Sequence, residues 1–132
     1  MEAAVRSIAR GVVADRLTKV EVYIKDPNEG NAIYVTFALK EYPFISWIRD
    51  QAYEDIGKMC DALWRAGYHD YLYSFAGTLP LVDKYGQSSE TIVLIADMKP
   101  DVLSKINFDY YGWWDNLPVL ADPFFLHPAI RD

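Results

Sequence analysis

The sequence predicts a two-layer α+β sandwich, with helices on one face of a four-stranded antiparallel sheet. The expected order is α-β-β-α-β-β-α, followed by an aromatic, proline-containing C-terminal tail. Three observations carry this. Apolar residues recur at helical spacing over residues 2–18 and 46–66. They alternate, or run unbroken, in the segments that follow each helix, as strands require. Clusters of turn-forming residues divide those segments into two hairpins. The expected division is an α+β domain over residues 1–107 and a tail over 108–132, packed on that domain or on a partner.

In residues 2–18, Val5, Ile8, Ala9, Val12, Ala14 and Leu17 mostly keep the 3.6-residue period, while Arg6, Arg10 and Arg16 lie off the stripe. Val20, Val22 and Ile24 then alternate with Glu21, Tyr23 and Lys25, as a first strand would. Asp26-Pro27-Asn28-Glu29-Gly30-Asn31 is dense in turn formers. Ala32 to Leu39 reads as the second strand, with Ile33, Val35, Phe37 and Leu39 on one face.

The same order recurs. Ser46 is the expected N-cap of a helix through about Ala66, with Ile48, Ala52, Ile56, Met59, Cys60 and Leu63 on its apolar stripe. Gly67 suits the left-handed position after its end. Tyr71 to Val82 is extended, residues 83–88 form a turn, and Glu90 to Met98 is the fourth strand. Pro80 predicts that the third strand lies at an edge or breaks there, and Gly77 predicts a bulge. Pro100 fits the first position of a short helix through Asn107.

The fourth strand breaks the pattern of a half-solvated sheet. Thr91-Ile92-Val93-Leu94-Ile95-Ala96 is apolar on both faces, and the second strand sets Tyr34, Thr36 and Ala38 opposite its aliphatic side. Helices cover one face, so the tail or a second copy of the chain is expected over the other. The tail has the means. Phe108, Tyr110, Tyr111, Trp113, Trp114, Phe124 and Phe125 fall within it, and prolines at 118, 123 and 128 forbid one continuous helix.

Charge and cysteine content exclude several classes. The formal charge of −6 repels phosphate backbones, which argues against nucleic-acid binding. One cysteine, Cys60, cannot form an intrachain disulfide, so stability does not rest on oxidation. No stretch approaches the roughly 20 apolar residues of a membrane span. The N-terminus lacks a signal-peptide pattern, which favours a cytoplasmic chain, although an exported domain stripped of its targeting segment would read the same way.

Catalytic constellations are sparse. Cys60 lies on an apolar stripe, where thiols are inert. His69 follows a helix end, where its ring would be a cap or surface group. Two histidines and one cysteine at positions 60, 69 and 127 show no zinc spacing, and the aspartates at 97, 101, 109, 115 and 122 lack the alternation of a calcium loop. No cofactor or metal is expected.

The cluster with chemical content is Tyr110-Tyr111-Gly112-Trp113-Trp114, flanked by Asp109 and Asp115, with His127 further along the tail. Its rings suit core packing, a protein interface, or stacking against a sugar with carboxylates accepting hydroxyl bonds. The sequence favours a non-catalytic protein-interaction or self-association module, its acidity suited to a basic partner surface. The alternative is a small-molecule or glycan-binding protein, or a hydrolase, with a site between the tail and the sheet.

Overall fold

The computed structural model describes residues 1–28 and 30–131; Glu29 of the expected turn and Asp132 of the tail lie outside the described residues. Helix α1 spans Glu2–Val13 and buries Val5, Ala9 and Val13. It stops five residues before the sequence predicts, because Ala14 turns to a positive φ of 54° and a 3₁₀ turn over Ala14–Arg16 feeds the chain into β1. Strand β1 (Leu17–Asp26) and β2 (Gly30–Ala38) form the first hairpin, with Val20 opposite Val35 and Val22 opposite Ile33. An irregularity between Tyr23 and Asp26, with Lys25 at φ 57°, bends the end of β1. Ile24, expected inside, is therefore 52% exposed.

Helix α2 spans Ile45–Arg65 and buries Ala52, Ile56, Met59, Cys60 and Leu63, the predicted stripe. It begins two residues earlier than Ser46 would dictate: Phe44 is its N-cap residue and makes no side-chain cap. After it come β3 (Tyr71–Val82), β4 (Ser88–Met98) and a single turn of helix, α3 (Pro100–Leu103), shorter than the predicted run to Asn107.

The sheet differs from the expected four antiparallel strands. It has five strands in the order β1-β2-β3-β4-β5, and β2 and β3 are parallel. The cause is α2. A helix of this length carries the chain back across the sheet before β3 begins, and such a crossover joins parallel neighbours, whereas a tight turn joins antiparallel ones. The fifth strand, β5 (Phe124–Leu126), comes from the tail and pairs antiparallel with β4.

Pro80 therefore sits on a central strand rather than an edge strand. The last β2–β3 pair is Ala38 with Thr78, so Pro80 lies beyond β2 and faces only Glu90 of β4. Its missing N–H costs no ladder bond on the vacant side. The predicted irregularity at Gly77 is present: the β3–β4 register shifts between Gly77 and Thr78. A Cβ at Gly77 would stand 2.6 Å from Leu39 Cδ2, so close packing also requires glycine there.

The core lies between the helices and one sheet face. Ile33, Val35, Phe37, Tyr73, Phe75, Leu94 and Met98 are essentially fully buried against α1 and α2. Each such side chain contributes roughly 1.5–3 kcal/mol over its exposed state. The tail does not cover the opposite sheet face. Its buried residues, Trp113, Leu117, Ala121 and Ile130, join the same core as the helices. On the open face Thr36, Ala76 and Ile95 are partly exposed, and Ile92 and Phe125 are more than two-fifths exposed. The physical reason is the strand β5, which fixes the tail at the β4 edge and turns its apolar residues toward α2.

Candidate functional site

The tail is anchored by backbone bonds before its side chains matter. Asp122 N–H donates to Asp97 O at 2.9 Å, Asp97 N–H to Pro123 O at 3.1 Å, and His127 N–H to Val93 O at 2.7 Å. Upstream of this anchor, Gly112 takes φ 81° and opens a 3₁₀ turn over Trp113–Asn116, followed by the short helix α4 (Leu117–Leu120). Trp113 is 5% exposed and packs edge-to-face with Phe108 at 5.3 Å. Trp114 lies on α2 where Gly57 leaves room: a Cβ there would meet Trp114 Cβ at 2.7 Å. Tyr111 then packs edge-to-face on Trp114 at 5.3 Å.

This docking leaves an open cleft of about 690 Å³ between the tail and the N-terminal half of α2. The tail contributes Tyr111, Gly112, Trp114 and Asp115; the segment before α2 and its first turns contribute Tyr42, Trp47, Asp50, Gln51, Tyr53 and Glu54. On the α2 side the rings brace each other. Trp47 meets Phe44 at 4.7 Å and Tyr42 at 6.1 Å, both edge-to-face. Burial raises the Tyr53 phenol above its ordinary value, so it is a neutral group at physiological pH.

A polar chain ties the cleft to the core. Tyr42 Oη donates to Gln51 Oε1 at 3.2 Å, and Gln51 Nε2 donates to Asp55 Oδ1 at 3.0 Å and Glu54 Oε2 at 3.3 Å. Asp55 is buried; its Oδ2 lies 3.0 Å from Arg16 Nη1 as an ion pair and has no hydrogen-bond partner among the described residues. Arg16 Nη1 also donates to Ala38 O at 3.1 Å. The chain from Tyr42 to Ala38 thus fixes the cleft floor to the end of β2.

The predicted site residues separate. Tyr111, Trp114 and Asp115 line the cleft. Tyr110 and Trp113 border a second, mostly apolar groove of about 480 Å³ with Val102, Ile106 and Val119. Asp109 turns away to Arg65, 2.9 Å from its Nη2. His127 is distant in role: its Nδ1 accepts from Ala129 N–H at 2.9 Å and caps the turn over Pro128–Ile130. No geometry brings His127 to the Tyr111–Asp115 cluster as an acid or base. His69 stacks on Trp64 at 4.2 Å, its Nε2 2.9 Å from the Trp64 carbonyl. Cys60 is fully buried, and burial pushes its thiol far above the ordinary range.

Sequence reasoning missed the α2 half of the cleft. The signal was present: Trp47, Asp50, Gln51 and Glu54 follow i, i+3, i+4, i+7 spacing on the side of the helix away from Ile48, Ala52 and Ile56. A tryptophan on such a face, 51% exposed, is the residue type that interfaces favour. Among the described residues, no group of three metal-ligating side chains occurs, and no helix is long and apolar enough to cross a membrane. Comparison with protein-family models, with curated protein sequences and with solved structures returned no match.

Proposed function

We propose that this chain is a non-catalytic interaction module that presents the cleft between α2 and the tail to a protein partner. One observation carries the reading: five aromatic rings and three carboxylates line an open cleft whose floor is braced by the Tyr42–Gln51–Asp55–Arg16 chain. Such bracing lowers the ordering cost of binding. The cysteine and the two histidines lie elsewhere, Cys60 in the core and both histidines engaged at turns.

The test is selection of binding partners by the intact chain from a displayed protein library. Trp47→Ala/Tyr111→Ala should lose the selected partners at an unchanged melting temperature. Partners that bind this variant equally well would place recognition outside the cleft.

A second reading, a glycan or small-molecule site, is favoured by the aromatic faces lying beside Asp50, Glu54 and Asp115. A saturable tryptophan response to a neutral oligosaccharide would favour it. Self-association through the open sheet face is favoured by exposed Ile92 and Phe125. Light scattering decides that version, since a concentration-independent monomer removes it.

A further inference from the structure

We infer that the cleft receives an arginine side chain of the partner, its guanidinium laid on the aromatic walls and its N–H groups directed at the carboxylates. The inference rests on the interaction reading above and adds the chemistry of the ligand. Among the described residues, the charged side chains lining the cleft are Asp50, Glu54 and Asp115, and all three are acidic. A guanidinium is planar, weakly hydrated and always charged, so it satisfies both features together: its face stacks on indole and phenol rings while its fork of donors meets carboxylates. A quaternary ammonium would use the rings alone, and a sugar would leave the charges of Asp50 and Asp115 without a countercharge.

The cations around the rim are already engaged. Lys40 Nζ sits over the Tyr42 ring, 5.5 Å from its centroid. Lys58 Nζ lies 3.7 Å from Glu54, and Arg49 Nη1 donates to Ile130 O at 3.2 Å. Lys40 shows that a cleft ring already accepts a cation on one of its faces. Asp50 and Asp115 form no ion pair among the described residues, so their charge awaits a countercharge from outside the chain. The chain's net charge of −6 further steers a basic partner to the surface.

Titration of the full chain with a short blocked peptide carrying one arginine, followed by tryptophan fluorescence, tests this. Its counterparts carry citrulline, the neutral isostere, or trimethyllysine, and a neutral trisaccharide is the sugar probe. The arginine peptide should give a saturable change that weakens with salt. Citrulline should bind at least about tenfold more weakly, a difference of about 1.4 kcal/mol. Asp50→Asn/Asp115→Asn should lose the arginine response while melting as the parent does. Equal binding of citrulline and arginine overturns the inference, as does silence toward every probe. Tighter binding of trimethyllysine overturns the guanidinium in favour of a ring-only cation site. A response to the trisaccharide alone overturns it too and shifts the cleft to the glycan reading. Failure of the interaction reading has a separate signature: library partners that ignore Trp47→Ala/Tyr111→Ala.

Discussion

Trp113 and Trp114 are neighbours in sequence with opposite surroundings. Trp113 is sealed into the core with Leu117 and Phe108, whereas Trp114 covers Gly57 of α2 and lines the open cleft beside Tyr111, which is 82% exposed. The 3₁₀ turn over Trp113–Asn116 explains the division. With about three residues per turn, successive side chains leave the axis about 120° apart. One dipeptide thereby closes a core and builds a surface. The difference teaches that an aromatic tail need not be either packing or binding site: here one side supplies stability and the other supplies recognition.

Breaking the core side should have the largest effect. Trp113→Ala should cost about 3–5 kcal/mol and Leu117→Ala about 2–5 kcal/mol, read from urea unfolding midpoints. Cutting the brace comes next. Asp55→Ala leaves Arg16 with only the Ala38 carbonyl, and should cost about 3 kcal/mol, the lower end for a broken buried pair because Arg16 is partly exposed. The same variant frees Gln51 and should loosen the cleft.

Gly57→Ala sharpens the comparison because two effects oppose. Alanine gains about 1 kcal/mol of helix propensity. Its Cβ would collide with Trp114 at the Cβ and ring atoms, which sit too near the backbone to swing clear, at a cost of about 1–3 kcal/mol. The net should be a small loss of stability with a clear change in tryptophan emission. An unchanged spectrum with a raised melting temperature would mean that Trp114 is not seated on α2.

The cleft side should matter least to folding. Trp47→Ala and Tyr111→Ala remove exposed rings, so each should change stability by no more than about 0.5 kcal/mol. Both should nevertheless abolish partner binding. Cys60 offers a control for the whole layer: the native chain should not react with a thiol reagent until it unfolds, since the thiol is buried and its ionisation suppressed.

Much of the fold was legible because it is local. Apolar period marked α1 and α2, and turn residues marked both hairpins. The parallel pairing of β2 and β3 was carried by the length of the predicted α2, a signal the hairpin reading passes over, and not by the strands, whose alternation looks the same whichever way a neighbour runs. The run from Thr91 to Ala96 suggested burial on both faces, yet only its core side is sealed: Ile92 is 47% exposed and Ile95 partly so, because a run of apolar residues cannot report that nothing packs over one of its faces. Strand β5 is three residues long between Pro123 and Pro128, too short for any period to register. For the site, Tyr111, Trp114 and Asp115 stood out by density of aromatic and acidic residues. Trp47, Asp50 and Glu54 are spread along a helix with no such density, and only the tail's rings placed opposite them make a cleft. Nothing in the dipeptide itself tells Trp113 from Trp114; burial alone separates them.

The division of labour in the tail is tested most directly by fluorine NMR of the full chain with 5-fluorotryptophan at its four tryptophans, followed through urea unfolding. The account predicts that the Trp113 signal is insensitive to solvent exchange and disappears at the same midpoint as the circular dichroism of the sheet, while Trp47 and Trp114 respond to solvent and to cleft ligands in the folded state. A Trp113 signal that shifts to its unfolded position well before the sheet melts would contradict it, because the tail would then be an appendage rather than part of the core that shapes the cleft.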